Sequence, residues 1–134
     1  MSEIGLNLEK FNFNTPGKIP YKECIALIKQ ASVTLIFRPS DLNYALGTKV
    51  FDYIHSDAPI LGILENENET AKFIRKASLG IVVPNNSQAI LDALNKLANG
   101  EAFQRNWNFL KKFNRRELTR KLAKYFDKIM EVAT

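Results

Sequence analysis

The stretch "SVTLIFRPSDLNYALGTKVFDYIHSDAPILGIL" (residues 32–64) decides the fold class of this 134-residue chain. It contains two short apolar runs, "VTLIF" (33–37) and "PILGIL" (59–64), and a third run, "LGIVV" (79–83), follows. The runs are rich in β-branched residues and nearly continuous rather than alternating, which is typical of strands covered on both faces in a parallel sheet. The stretch therefore predicts two buried strands joined by a long loop and a short helix.

Helical patterns separate the apolar runs. Apolar residues recur at the spacing of one helix face in "PYKECIALIKQA" (20–31), "NETAKFIRKAS" (68–78) and "NSQAILDALNKLANG" (86–100). Two more helices are predicted over about 101–113 and 115–132, and the alternating "FNFNT" (11–15) is a weaker strand candidate. Strand and helix then alternate four times along the chain, which predicts an α/β domain with a parallel sheet.

The composition is that of an ordinary globular domain, with 46% hydrophobic and 25% charged residues. No apolar run approaches the length of a membrane-spanning helix, and the first residues lack the pattern of a secretory signal. The single cysteine, Cys24, cannot form an internal disulfide, which fits a reducing compartment. The glycine-rich nucleotide motifs and the HExxH zinc motif are absent from the sequence, and no metal site is predicted.

The excess positive charge lies in the C-terminal quarter. Residues 1–100 contain ten basic and ten acidic side chains, whereas residues 101–134 contain nine Lys or Arg and four Asp or Glu. In the last predicted helix, basic residues recur at every fourth position from 116 to 128, on a different face from an apolar stripe. This pattern fits either a docked helix with a solvated face or a helix that contacts anionic lipid head groups.

The loop before the short helix is the main candidate for a ligand site. In parallel sheets, ligands bind outside the carboxyl ends of the strands, and "RPSDLNYALGT" (38–48) is the longest loop predicted there. Gly47 permits close approach of the backbone, and Thr48 suits a helix cap. Backbone N–H groups at such a helix start favour phosphate, although a simply capped helix is the alternative.

Two charged residues in this helix are further candidates. Asp52 lies off the apolar face, so that it either offsets the helix dipole or accepts hydrogen bonds from two neighbouring hydroxyls, as on a ribose. Lys49 either pairs with Asp52 or reaches a phosphate.

Several motifs, in this order, resemble the C-terminal, donor-binding half of GT-B glycosyltransferases, especially the family-4 type. The matching motifs are "GKIPYKE" (17–23), "ASVTL" (31–35), "TKVFDYI" (48–54), "PIL" (59–61) and "GIVVP" (80–84). The resemblance covers about residues 16–98. It implies a Rossmann-like three-layer domain with a parallel sheet, on which the C-terminal helices pack.

The resemblance also implies a division of the chain and a set of site residues. Residues 1–15 would be an N-terminal remnant with the weak first strand, residues 16–100 the nucleotide-sugar-binding domain, and residues 101–134 its closing helices. The implied binding residues are Gly47, Thr48 and Lys49 at the diphosphate, Asp52 at the ribose, and Lys18, Ile19 and Pro20 beside the nucleobase.

The implied activity is that of an enzyme, a glycosyltransferase of the hexosyl-transferring class in polysaccharide or glycan synthesis. It would use a nucleoside-diphosphate sugar as donor and need no metal or other cofactor. An upstream strand–helix unit and the N-terminal acceptor domain would be missing, so this chain alone is expected to be inactive.

The expected partners are the nucleotide sugar, the acceptor domain and an anionic membrane surface bound through residues 105–128, with no nucleic acid. A cytoplasmic location is expected, peripheral to the inner membrane face if the tail binds there. Two alternatives from other classes remain: a non-catalytic flavodoxin-like interaction domain, and a basic nucleic-acid-binding module.

Overall fold

The structure is a computed structural model that describes Asn12 and residues 14–38 and 42–133. Helices and strands alternate in its first two thirds, and helical segments alone follow. The helices are α1 (Tyr21–Gln30), α2 (Lys49–Tyr53), α3 (Glu69–Lys76), α4 (Ser87–Ala98), α5 (Trp107–Leu110) and α6 (Arg115–Ala133), with a 3₁₀ turn at Lys111–Phe113. The strands are β1 (Thr34–Phe37), β2 (Ile60–Ile63) and β3 (Gly80–Val83).

The three described strands form one open parallel sheet in the order β1-β2-β3. Ile60 of β2 pairs with Thr34 on one side and with Gly80 on the other. The three apolar runs therefore form a parallel sheet as predicted, and the fold is of the mixed α/β kind. Of the weaker strand predicted over 11–15, Asn12, Asn14 and Thr15 lie outside any strand, and the other two positions are outside the described residues.

One face of the sheet carries the core. Ile36 and Ile60 belong to a buried cluster with Val50 of α2 and Ile74 of α3. At Gly62 the sheet and α3 lie close together, since a Cβ there would be 3.2 Å from the Cδ1 of Ile74. This packing fixes α2 and α3 over the sheet, and it thereby positions the residues that lead directly into α2.

The opposite face is covered unevenly. Leu61 in the central strand is 3% exposed, whereas Leu35 and Phe37 in β1 are 46% and 71% exposed. The prediction of strands covered on both faces is therefore confirmed at Leu61 but wrong for β1, where buried and exposed residues alternate. The physical reason is position, because β1 is an edge strand of the described sheet.

The C-terminal segment is packed in its first half only. Leu110 is buried, and the ring of Phe113 lies 4.9 Å from that of Phe73 in an edge-to-face contact. The first C-terminal helix was predicted from residue 101, but it begins at Trp107, where the side chain of Asn106 accepts a hydrogen bond from the N–H of Phe109. An amide side chain at this position satisfies an otherwise unpaired helical N–H and therefore sets the start.

The long last helix is present as predicted, but it is not packed on the sheet. No described residue of α6 is buried, so the expectation that the C-terminal helices pack on the sheet is wrong for this helix. An amphipathic pattern predicts a helix with one apolar face, but it does not identify what covers that face. Within the described residues, no helix is both long enough and apolar enough to cross a bilayer.

Candidate functional site

The start of α2 lies beside the carboxyl end of β1, where the strand-end argument placed a site. A cavity of about 380 Å³ is lined there by residues 35–37 of β1, by Arg38 and by residues 46–49. Gly47, Thr48 and Lys49 are thus brought together next to the end of the strand. Arg38 and Lys49 give this cavity two cationic side chains, which suits an anionic ligand.

Buried polar residues at the start of α3 hold residues 43–47, which precede α2, in place. The N–H of Gly47 donates to the Oγ1 of Thr70 at 2.8 Å, and that hydroxyl also lies 3.3 Å from the carbonyl oxygen of Ala45, to which it donates. The Nδ2 of Asn68 donates to the Oδ1 of Asn43 at 3.0 Å. Asn68 and Thr70 are both essentially inaccessible to solvent. These bonds fix the loop that leads into α2.

The contact at Gly47 bears directly on phosphate binding. Its N–H is already used by Thr70, so it is not free for a ligand in this conformation. No described residue accepts a hydrogen bond from the N–H groups of Thr48 and Lys49. Of the predicted backbone donors, the N–H groups of Thr48 and Lys49 are therefore the two that have no partner within the described part of the chain.

Arg38, which directly follows β1, also binds the segment that precedes α2. Its Nη1 donates to the carbonyl oxygen of Ala45 at 2.8 Å. A Cβ at Gly47 would meet this guanidinium at 3.4 Å and the Thr70 hydroxyl at 3.3 Å, so a larger residue would crowd both. Arg38 was not among the predicted site residues; its position directly after a parallel strand was the signal that could have identified it.

Asp52 lies in a second, larger groove. This groove of about 800 Å³ runs between α2, the segment 107–113 and the start of α6, and Thr48 lines both cavities. The hydroxyl of Tyr21 donates to the Oδ1 of Asp52 at 2.9 Å. Lys111 and Arg115 also line the groove and add two positive charges to the space beside the carboxylate.

The segment before α1 lies outside both cavities, whereas its neighbour in the helix lines one of them. Lys18, Ile19 and Pro20 line neither cavity, and Pro20 acts as the cap of α1, where its carbonyl accepts from the N–H of Cys24 at 3.1 Å. The next residue, Tyr21, is the one that reaches the larger groove. Tyr21 was not among the predicted site residues, because the helical periodicity of residues 20–31 does not indicate a contact with Asp52.

The acidic loop before α3 is structural in the described chain. Asn68 caps α3 by accepting from the N–H of Thr70 at 2.9 Å, while Glu65, Glu67 and Glu69 are exposed. The described residues contain no group of three or more His, Cys, Asp or Glu side chains arranged to hold a metal ion.

Comparison with known proteins gives no relative for this chain, because no family model, no curated protein and no solved structure matches it.

Proposed function

We propose that this chain is the donor-binding half of a GT-B-type glycosyltransferase, with a Rossmann-like sheet that binds a nucleoside-diphosphate sugar. One observation carries the proposal. Thr48 lines both cavities, with Arg38 and Lys49 in one and Asp52 in the other. A nucleoside diphosphate needs cations and N–H donors for its phosphates, and a hydroxyl acceptor for its ribose, within one molecule's reach.

The smaller cavity would hold the diphosphate. Arg38 offers a planar guanidinium and Lys49 a mobile ammonium group, and the N–H groups of Thr48 and Lys49 have no acceptor among the described residues. The two cations would offset the negative charge of the diphosphate, and the N–H groups would donate hydrogen bonds to it.

Asp52 would bind the ribose in the larger groove. A carboxylate is an acceptor with two oxygens, so it can accept from two adjacent hydroxyls at once. Tyr21 already donates to Oδ1, which marks this carboxylate as accessible to a neutral hydroxyl donor. A ribose hydroxyl would take that place, or would share the carboxylate with Tyr21 through Oδ2.

The reaction would proceed by attack of an acceptor hydroxyl on the anomeric carbon of the donor sugar. As the new glycosidic bond forms, the bond from that carbon to the diphosphate oxygen breaks, and the oxygen keeps the electron pair. Cations placed where this negative charge develops stabilise the transition state, and Arg38 and Lys49 would supply them. The acceptor and the group that takes its proton would come from the other half of the enzyme.

An amide-resolved NMR titration of the chain with UDP, GDP and nucleotide sugars tests the proposal. We expect saturable shifts centred on residues 46–53 and Tyr21, weakened at least about tenfold by Asp52→Ala. Asp57→Ala is the matched control, because Asp57 is an exposed carboxylate five positions away that lines neither cavity.

Two results would overturn the assignment. The first is a folded chain that gives no localised shift with any of these ligands at millimolar concentration. The second is binding that Asp57→Ala weakens as much as Asp52→Ala, since that would show a general charge effect rather than a site at α2.

A further inference from the structure

The long C-terminal helix presents an apolar surface to solvent. In α6, which spans Arg115–Ala133, Leu122 is 53% exposed, Phe126 58% and Ile129 62%. Burial of such side chains is worth a substantial free energy, so their exposure together is costly unless something covers them.

The apolar residues are confined to one half of the helix. At 100° per residue, positions 118, 122, 125, 126, 129 and 132 fall within one half of its circumference. Arg116 borders this half on one side, and Lys121 and Lys128 border it on the other. Asp127 and Glu117 lie further towards the middle of the polar half.

The charge of the helix favours an anionic partner. The range Arg115–Ala133 contains six Lys or Arg and three Asp or Glu. The charged ends of long Lys and Arg side chains can extend into water while their aliphatic stems stay against apolar material. Arg116, Lys121 and Lys128 are therefore placed to meet negative charges at the edge of an apolar surface.

These features point away from a second copy of the chain. Two α6 helices in contact through their apolar halves would bring like-charged borders together, which is destabilising. The apolar half is also wider than the narrow seam of a two-stranded coiled coil. An anionic lipid surface instead offers apolar chains below and negative head groups at the level of the borders.

We infer that α6 docks on an anionic phospholipid bilayer, with its apolar half in the head-group region and its border cations on the lipid phosphates. The inference rests on α6 alone and does not depend on the nucleotide-sugar proposal. Binding of this kind combines burial of apolar area with electrostatic attraction, so both the apolar half and the border charges should be needed.

Vesicle co-sedimentation of the full chain tests the inference. The probes are vesicles of phosphatidylcholine alone and of phosphatidylcholine mixed equally with phosphatidylglycerol. We expect partitioning onto the anionic vesicles that is at least about tenfold stronger than onto the neutral ones and that falls as salt rises.

Paired variants separate the two contributions. Phe126→Ser with Ile129→Ser should weaken partitioning at least about tenfold without a charge change, whereas Leu91→Ser with Leu94→Ser should leave it unchanged. Leu91 and Leu94 are exposed leucines of α4, so they form a matched control.

The second double variant, Lys121→Gln with Lys128→Gln, removes two of the border charges. We expect it to weaken partitioning onto the anionic vesicles about tenfold or more. Its control is Lys22→Gln with Lys29→Gln on α1, which changes the net charge equally at two exposed positions.

Three outcomes would overturn the inference. One is equal partitioning onto both vesicle types. Another is partitioning that the α6 variants and their controls reduce equally. The third is the absence of vesicle binding by the folded chain. In that case another partner would cover the apolar half of α6, either a second copy, in a dimer that the Phe126 and Ile129 changes dissociate, or added nucleic acid.

Discussion

The hydroxyl of Tyr21 donates a hydrogen bond of 2.9 Å to the carboxylate of Asp52, which lies 31 positions further along the chain. The bond joins the first turn of α1 to α2 at the edge of the larger groove. It also raises the pKa of the Tyr21 phenol, first because Asp52 accepts its proton in a hydrogen bond, and further through partial burial and the negative charge of Asp52.

The raised pKa predicts a pH-dependent contribution to stability. Because the pKa of folded Tyr21 lies above its ordinary value of about 10, the stabilisation is fully present at neutral pH and is lost as the pH rises through the folded pKa. We expect Tyr21→Phe to unfold more easily than the parent chain at neutral pH, with a difference that shrinks at pH above about 10. Denaturant unfolding at a series of pH values measures this difference.

Removal of the carboxylate charge provides the control for this prediction. Asp52→Asn should lower the pKa of Tyr21 towards its ordinary value, which NMR of ring-labelled tyrosine reports directly. An unchanged pKa in Asp52→Asn would contradict the stated cause.

Thr70 is predicted to hold the loop that precedes α2 through its hydroxyl rather than its shape. Thr70→Val keeps the volume but leaves the N–H of Gly47 without its acceptor, at an expected cost of about 1–3 kcal/mol in the free energy of unfolding. Thr70→Ser keeps the hydroxyl and should retain the protection of the Gly47 amide against hydrogen exchange. Faster exchange at Gly47 in the valine variant alone would confirm the role, and equal exchange in both variants would refute it.

Arg105 is predicted to fasten the C-terminal segment to the loop after α2. Its Nη1 donates to the carbonyl oxygen of Ile54 at 2.6 Å, and its Nη2 donates to that of Ser56. Arg105→Ala should lower the free energy of unfolding by about 1–3 kcal/mol, because two charge-assisted bonds are lost.

Two further variants test this role of Arg105 in urea unfolding. Arg105→Lys should recover only part of the loss, since an ammonium group lacks the planar fork that serves two acceptors. Lys112→Ala, at an exposed position nearby, should have little effect. A loss in Lys112→Ala as large as that in Arg105→Ala would contradict a specific role for the guanidinium.

Gly80 is predicted to be required for the pairing of β2 with β3. A Cβ at Gly80 would overlap the backbone carbonyl oxygen of Ile60, its partner in the sheet, and backbone atoms cannot rotate away. At Gly62 the nearest atoms are side-chain methyl groups of Ile74 and Leu64 at 3.2 Å, which can adjust.

We therefore expect Gly62→Ala to cost about 1–3 kcal/mol. Gly80→Ala should cost more than about 4 kcal/mol or prevent folding. Thermal unfolding followed by circular dichroism compares the two variants. Equal melting temperatures would show that the strands separate slightly to admit the methyl group.

The local structure was largely predictable from the sequence. Apolar runs identified the three described strands, whereas the start of α5 at Trp107 was missed although Asn106, a residue type suited to capping, precedes it. The strand-end rule led to Gly47, Thr48 and Lys49, and these three residues line one cavity beside β1. Tyr21 was missed because nothing in its local sequence indicates a contact with Asp52, 31 positions away. Arg38 was missed although its position directly after β1 was a signal.

The sequence by itself determined which segments are helix or strand and which faces are apolar, since these depend on side chains within a few positions of one another. Only the tertiary structure decided which groups meet. The bond from Gly47 to Thr70 spans 23 positions, and that from Arg105 to Ile54 spans 51. Such contacts form only after the packing of α2 and α3 on the sheet has brought the segments together. For the same reason, the periodicity of α6 predicted its apolar face, but only the packed chain left that face exposed.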